Sequence, residues 1–129
     1  MPYLRPQYHF RETANGLDAW RVSRLIELSE GLPIKRLNPS AFAELHANHW
    51  YKEPHQVPSP ESILEHVRLI QDCDLNYPII LDASGRVMDG MHRICRAILD
   101  NKAEISAVQF ELDPPPDHRD CSATDLSYE

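Results

Sequence analysis

Five consecutive residues, Asp89-Gly90-Met91-His92-Arg93, combine side chains that favour the binding of an anion. They lie between an apolar β pattern and a helical pattern, which predicts a junction where a strand ends and a helix begins. The first amides of a helix have no partner within it and lie at the positive end of its dipole, so an anion can bind there. Gly90 permits close approach because it has no Cβ atom. His92 and Arg93 add donors at the same place, so the segment predicts a phosphate site.

An alternative interpretation of these residues involves no ligand. Asp89 can cap the helix, and Gly90 can ease the turn. Arg93 and Arg96 can face solvent, with Arg96 paired to Asp100 four residues later. The carboxylate of Asp89 would also compete with a phosphate for the amides unless Mg²⁺ lay between them. Asp89 is therefore the predicted magnesium ligand if a phosphate binds, and its charge is also the main argument against a phosphate site. Both interpretations of the segment stay open.

The elements that flank this segment are well marked. Residues 77–82 and 86–89 flank the turn Ala83-Ser84-Gly85, which predicts a β-hairpin. Residues 90–101 predict a helix, because apolar side chains recur there at i, i+3, i+4 and i+7. The members of this apolar face are Met91, Ile94, Cys95 and Ile98.

A second helix is predicted to start at Ser59-Pro60-Glu61 and to run to Asp72. Ser59 can accept from the free amides, Pro60 needs no donor at the first position, and Glu61 favours the positive end of the helix. Its buried face is expected to contain Ile63, Leu64, Val67 and Ile70.

The rest of the chain completes a small mixed domain. We expect an irregular arm over residues 1–17, a helix from Asp18 to Gly31 and a strand over 33–37. Ser40 or Asn38 can cap a further helix that runs through Phe42 and Leu45 towards Trp50, and a strand over 105–112 and an extended or disordered tail over 113–129 follow. The domain then covers residues 18–112. Its element order predicts an α/β (mixed α+β) fold in which helices pack on a short sheet.

The composition and net charge limit the kinds of partner that the chain is expected to bind. The chain has 129 residues, and 13 Lys and Arg against 20 Asp and Glu give a formal net charge of -7. This acidity argues against a protein that mainly binds the nucleic-acid backbone. Residues 113–129 hold five of the acids and one base, so more than half of the net negative charge lies in the tail.

The composition also indicates the cellular compartment of the protein. No apolar run approaches the roughly 20 residues of a membrane span, and the start of the chain lacks the pattern of a secretory signal. The three cysteines are widely spaced and form no CxxC pair. We therefore expect a protein of the reducing cytoplasm with no membrane partner.

Residues 60–111 resemble the ParB/sulfiredoxin-like superfamily. The matching parts are the helix ESILEHVRLIQ, the hairpin YPIILDASGRVMDG, the G-x-H-R start of the next helix and the returning strand ISAVQF. The order of these parts is more specific than the four-residue motif alone. The resemblance implies a small α/β domain of that superfamily.

What the resemblance implies for function is a nucleotide site. Members of the superfamily bind ATP, ADP or CTP, with the phosphates at the G-x-H-R helix start, where Gly90, His92 and Arg93 match. Polar residues at the start of the preceding helix also face the nucleotide in sulfiredoxin, and Ser62 and His66 stand at those positions. The family lysine one turn earlier is replaced by Ser59.

Sequence differences from members of the superfamily narrow the range of activities that we expect. Sulfiredoxin has its reactive cysteine directly before the histidine, where this chain has Met91, so reduction of a sulfinic acid is not expected. Only 17 residues follow Leu112, in place of the helix-turn-helix and dimerisation domains of partition proteins. The free serine kinase branch uses an acidic base near the phosphates. Asp89, Glu44 and Glu53 are the candidates here, and we favour Asp89 with Glu53 as a second acid.

Residues 46–51 supply weaker candidates. His46 and His49 have metal-ligand spacing but lack a third ligand, so two partly exposed histidines are the simpler interpretation. Trp50 and Tyr51 could form a lid over a substrate or could cover the edge of the core.

Two hypotheses for function follow. The first is a nucleotide-dependent phosphotransferase or NTPase that uses Mg²⁺ and acts on a small molecule or a protein. The second is a regulatory module that binds DNA or protein without turnover, in which residues 17–30 could also serve a homodimer.

Overall fold

The computed structural model describes residues 8–52, 56–122 and 126. Its strands are β1 (Tyr8–Thr13), β2 (Gly16–Arg21), β3 (Lys35–Leu37), β4 (Ile79–Leu81), β5 (Val87–Asp89), β6 (Ile105–Gln109) and β7 (His118–Cys121). Its α-helices are α1 (Val22–Ser29), α2 (Pro60–Asp72) and α3 (Met91–Leu99), and two 3₁₀ turns span Pro39–Ala41 and Ala43–His46. The described part of the chain thus has three α-helices and two sheets, which confirms the predicted mixed α/β class. None of the helices in these ranges is long and apolar enough to cross a membrane.

The larger sheet has the strand order β3-β6-β4-β5. β4 and β5 form the predicted antiparallel hairpin, β6 lies parallel to β4, and β3 lies antiparallel to β6. All three residues of β4 are buried. Ile79 and Leu81 pack in one core cluster with Ile94 of α3, so this sheet and its apolar side chains position the start of α3.

The predicted helix start at Asp18 and the irregular arm over residues 8–17 are wrong. β1 and β2 form an antiparallel hairpin that pairs Thr13 with Gly16 and Arg11 with Asp18. α1 begins only at Val22. The dipeptide Asn15-Gly16 is a hairpin signal, and Trp20 is buried at the other end of β2, where it pairs with His9.

The tail contributes the third strand of the smaller sheet. β7 pairs antiparallel with β2, so the sheet has the order β1-β2-β7. The indole of Trp20 donates to the carbonyl oxygen of Pro114 at 2.8 Å, and the amide of Asp117 donates to Ala19 at 2.8 Å. Residues on both sides of the expected boundaries at 17 and 112 therefore belong to one sheet.

Arg11 ties the two sheets together. Its guanidinium bonds Asp82 after β4 at 2.8 Å and Asp113 in the tail at 3.1 Å. Burial of Asp82 opposes its charge and raises its pKa, but hydrogen bonds from Ser84 and Arg86 and the charge of Arg11 outweigh burial. The pKa of Asp82 is consequently held below its usual value.

The predicted helix from Phe42 towards Trp50 is also wrong. Asn38 caps the first 3₁₀ turn by accepting from the amide of Ser40, and Phe42 then adopts an extended conformation with a buried ring. The Glu44 carboxylate accepts from the amide of Val87 at 2.6 Å. This segment follows the edge of β5, and an α-helix would break that contact.

α2 has the predicted start but a different buried face. The amide of Ser62 donates to the Ser59 hydroxyl at 3.2 Å, which confirms the cap. Ile63, Leu64 and Val67, which were predicted to be buried, are exposed. The face that meets the rest of the domain contains Ser62 and His66, because α2 packs on α3 through that side.

Gly16→Ala should destabilise the fold more than Gly31→Ala. Both glycines have positive φ, +148° and +85°, but a Cβ on Gly16 would lie 2.8 Å from the carbonyl oxygen of Cys121, whereas a Cβ on Gly31 would meet nothing within 4 Å. Strain of this kind costs about 1–3 kcal/mol. Urea unfolding followed by circular dichroism measures both losses, and equal losses would contradict the close approach of β7 to β2.

Candidate functional site

The start of α3 is built on Gly90. Its φ is +119°, and a Cβ at this position would lie 2.5 Å from Cγ2 of Ile79. Its carbonyl oxygen accepts from the amide of Ile94 at 3.0 Å, the first bond of the helix. No side chain caps this helix, so Asp89 does not have the capping role of the alternative interpretation.

His92 on α3 is hydrogen-bonded to His66 on α2. Nδ1 of His66 and Nε2 of His92 are 2.8 Å apart. The ring centres are 5.1 Å apart and the ring planes differ by 22°. That separation is close to the largest that such a short N···N contact permits, so the two nitrogens point at each other in nearly coplanar rings. A first-row metal lies about 2.0–2.1 Å from each imidazole nitrogen, so none fits between them.

Trp50 covers one face of this imidazole pair. Its ring lies parallel to both imidazoles, 4.1 Å from the ring centre of His66 and 4.9 Å from that of His92, with interplanar angles of 13° in each case. Trp50 also packs against the core cluster that contains Met91. The interpretation of this residue as a cover of the core is therefore confirmed, and the lid over a substrate stays a prediction.

Tyr51 connects the same loop to α2. Its hydroxyl accepts from the hydroxyl of Ser62 at 3.1 Å, and its ring meets His66 edge-on. The side chain of Asn48 holds the backbone of Tyr51 from both sides, accepting from its amide at 3.0 Å and donating to its carbonyl oxygen at 2.9 Å. The loop is thus fixed where it touches the imidazole pair.

Both imidazoles of the pair are weak bases. Burial, together with the charges of His66, His49 and Arg93, lowers the pKa of His92 to about 4. Burial also lowers the pKa of His66, against a smaller rise from Glu65. Both rings are neutral near pH 7, so one nitrogen of the short contact carries the proton and the other accepts it.

Arg93 and Asp89 bind each other instead of lying open. The guanidinium of Arg93 contacts the carboxylate of Asp89 at 2.8 Å, and the side chains are 15% and 20% exposed. Arg93 also donates to the carbonyl oxygen of Tyr77 at 3.3 Å. The guanidinium lies close to the helix start, and its Nη2 atom is 3.1 Å from the position that a Cβ on Gly90 would occupy.

The predicted site residues therefore fall into two groups around the start of α3. Ser62, His66 and His92 lie together with Trp50 and Tyr51, whereas Asp89 and Arg93 form an ion pair. The predicted second acid, Glu53, lies outside the described residues. Arg96 pairs with Asp100 at 2.8 Å, as the alternative interpretation predicts.

A cavity of about 210 Å³ adjoins the start of α3. Its lining contains Met91 and Cys95 of α3 and the loop residues Glu44, Leu45, Ala47, Asn48, His49, Trp50 and Tyr51. Most of that lining is apolar. In the described ranges, no group of three or more His, Cys, Asp or Glu residues is placed to hold a metal ion.

The bond between His66 and His92 is the feature that sequence reasoning missed. The two residues are 26 positions apart, and no spacing rule relates them. The relevant signal was the placement of Ser62 and His66 one turn apart on one face of α2.

No family model matches this chain, and neither a curated protein nor a solved structure does. The resemblance to the ParB/sulfiredoxin-like superfamily therefore stays a prediction from its motifs.

The stability of the fold should fall as the pH is lowered from 7.5 to 5. The folded-state pKa of His92 lies near 4, below the ordinary imidazole value of 6.5, so protons bind preferentially to the unfolded chain. Stability is present above pH 6.5 and is lost as the pH falls towards 4. His9 contributes in the same sense, because burial lowers its pKa to about 4 as well.

His92→Gln should reduce this pH dependence, because the amide does not titrate. The exposed His46 supplies the control, since His46→Gln should leave the dependence unchanged. Melting temperatures at both pH values give the comparison. An identical loss in wild type and His92→Gln would contradict the buried neutral state of His92.

Proposed function

We propose that the chain binds the phosphate groups of a nucleotide at the start of α3. The observation that carries the proposal is the hydrogen bond by which His66 of α2 meets His92, two residues after Gly90, with Ser62 one turn before His66 on α2. The hydroxyl of Ser62, the remaining N–H of the imidazole pair and the first amides of a helix are donors that suit phosphate oxygens. The resemblance points to these same residues.

Arg93 would join this site by exchanging partners. In the free protein its guanidinium neutralises Asp89, and a bound phosphate would offer it a more highly charged acceptor. The guanidinium already lies at the helix start, since its Nη2 atom is 3.1 Å from the position of a Cβ on Gly90. Binding of an anion would also raise the pKa values of the two imidazoles, which start below the usual value.

The described residues do not fit a magnesium site held by the protein. Asp89 is the one carboxylate predicted for the metal among them, and it is engaged by Arg93. Mg²⁺ prefers about six oxygen ligands, with several from water and substrate phosphates. We therefore derive no step through Mg²⁺.

The neighbouring cavity suits the base of the nucleotide. Typical ligand pockets measure about 300–1,000 Å³, so a cavity of about 210 Å³ would take a fragment rather than a whole nucleotide. Its aromatic and apolar lining favours a flat ring. The phosphates would then lie outside it, at the imidazole pair. ATP, ADP and CTP are the first ligands to test.

We propose a phosphotransferase or NTPase of the cytoplasm as the activity of this site. The second substrate would be water, a small molecule or a protein group. Phosphoryl transfer needs mainly positioned donors and neutralised charge, which this arrangement could supply. The thioether of Met91 supplies no thiolate, so the sulfinic-acid chemistry of sulfiredoxin stays outside the proposal.

Ser62→Ala and His66→Ala should each weaken nucleotide binding. Loss of one phosphate contact should raise the Kd about tenfold, which corresponds to about 1.4 kcal/mol. Isothermal titration calorimetry with ATP, ADP and CTP measures the change, and His46→Ala should keep the wild-type Kd. If none of the three nucleotides binds the wild-type chain at millimolar concentration, the proposed function fails.

An interaction module is the second candidate, and the surface of α2 favours it. Ile63, Leu64 and Val67 are 47%, 54% and 38% exposed on adjoining faces of this helix. Clustered apolar side chains of this kind are typical of protein contacts. A second copy of the chain would be the simplest partner. The net charge of -7 disfavours nucleic acid.

Leu64→Glu should abolish self-association if α2 forms that contact. The control is Leu112→Glu, because Leu112 is 84% exposed and lies outside α2, between β6 and β7. Sedimentation equilibrium between about 10 and 200 μM would reveal a dimer in wild type and in the control. A wild-type chain that stays monomeric throughout would remove this candidate.

A further inference from the structure

The imidazole pair leaves one nitrogen of each ring for other contacts. Nδ1 of His66 and Nε2 of His92 are used in the short bond, which leaves Nε2 of His66 and Nδ1 of His92. Neither of these has a hydrogen-bond partner in residues 8–52, 56–122 or 126. A histidine whose second nitrogen is held by a neighbour has a defined tautomer and ring orientation.

The carboxylates predicted as bases are engaged elsewhere. Asp89 accepts from Arg93 at 2.8 Å, and Glu44 accepts from the amide of Val87 at 2.6 Å. Glu53 lies outside the described residues. Among the described residues beside the start of α3, the imidazole pair therefore has a nitrogen that is free to accept a proton.

We infer that His92 accepts a proton in phosphoryl transfer at this site and that His66 is the positioning residue that selects its tautomer. The inference rests on the proposed function and refines the part that His66 plays in it. For Nδ1 of His92 to accept a proton, its Nε2 atom must carry hydrogen and donate to Nδ1 of His66. His66 then carries its own hydrogen on Nε2.

The proposed phosphoryl transfer and the accompanying proton transfer need no further reagent. The O–H bond of water or an acceptor hydroxyl breaks, its oxygen bonds the terminal phosphorus, and its proton moves to Nδ1 of His92. The bond from phosphorus to the bridging oxygen breaks, and its electron pair stays on the leaving phosphate. The imidazolium of His92 is stabilised by its bond to His66, and its proton returns to solvent or to the leaving group.

The groups that face His92 suit a base that is neutral near pH 7. The titratable and charged groups that act on it are His66 of α2, His49 of the loop before Trp50 and Arg93 of α3 itself, and each of them lowers its pKa. Burial and these neighbours bring the pKa of His92 to about 4, so the ring is neutral before the reaction. Trp50 covers one face of both rings and shields that face from water.

The tautomer can be tested without any activity. Long-range ¹⁵N–¹H NMR of the imidazoles reports which nitrogen carries the proton in the free protein. Hydrogen on Nε2 of His92 is expected in wild type, and His66→Ala should give a mixture of tautomers. Hydrogen on Nδ1 of His92 in wild type would overturn the inference, whatever the nucleotide experiments show.

Turnover provides the second test. Release of ADP or CDP should have an acidic limb in kcat that His92→Ala abolishes. His66→Ala should lower kcat at least about tenfold, and His66→Asn should recover much of it, because the amide oxygen of Asn can accept where Nδ1 of His66 does. A purely structural role of His66 predicts no such rescue, and His46→Ala should match wild type.

The outcomes separate the inference from the proposed function. Nucleotide binding without turnover, or with turnover that keeps its acidic limb in His92→Ala, overturns the inference and leaves the binding site standing. Absence of binding overturns the proposed function, and the proton-transfer role falls with it, even if the NMR tautomer is as expected.

Discussion

The candidate site depends on the turn at Gly90. Its positive φ and the 2.5 Å approach that a Cβ would make to Ile79 exclude any side chain there. This turn sends the chain from β5 directly into α3, with the first amides of the helix free of a side-chain cap. It also decides that His92 meets α2 while Arg93 turns back to Asp89. The proposed contacts of His92, Arg93 and the first amides of α3 with a ligand depend on that backbone conformation.

The acidity of the chain has a structural role at its ends. Asp113 binds Arg11, and Asp117 binds Arg24 at 3.5 Å and accepts from the amide of Arg21. Part of the negative charge of the tail is thus neutralised by arginines of the first hairpin and of α1. Arg11 joins that sheet to the buried carboxylate of Asp82, so the smaller sheet and the sheet that carries α3 are connected by a network of charged hydrogen bonds.

Local signals predicted the parts of the fold that local chemistry determines. The β4–β5 hairpin, the Ser59 cap of α2 and the apolar face of α3 were all predicted from turn residues, capping residues and periodicity. The prediction failed around Trp20, whose spacing to Leu25 and Leu28 imitates a helical stripe. There the Asn15-Gly16 turn and pairing with β1 and β7 outweigh the helical pattern. Ile63 and Val67 likewise have the period of a buried face, but the described elements cover the Ser62 and His66 side of α2 instead.

The sequence by itself determined that a helix starts at Gly90, preceded by an acid and followed by His92 and Arg93, and it predicted a phosphate site there. Periodicity and residue type are local properties, so they were sufficient for that conclusion. Only the tertiary structure decided that His66 bonds His92, that Trp50 covers both rings, and that Asp89 is taken by Arg93. Those outcomes depend on how α2, α3 and the loop at Trp50 pack in space, and contacts between residues far apart in the chain leave no period in the sequence.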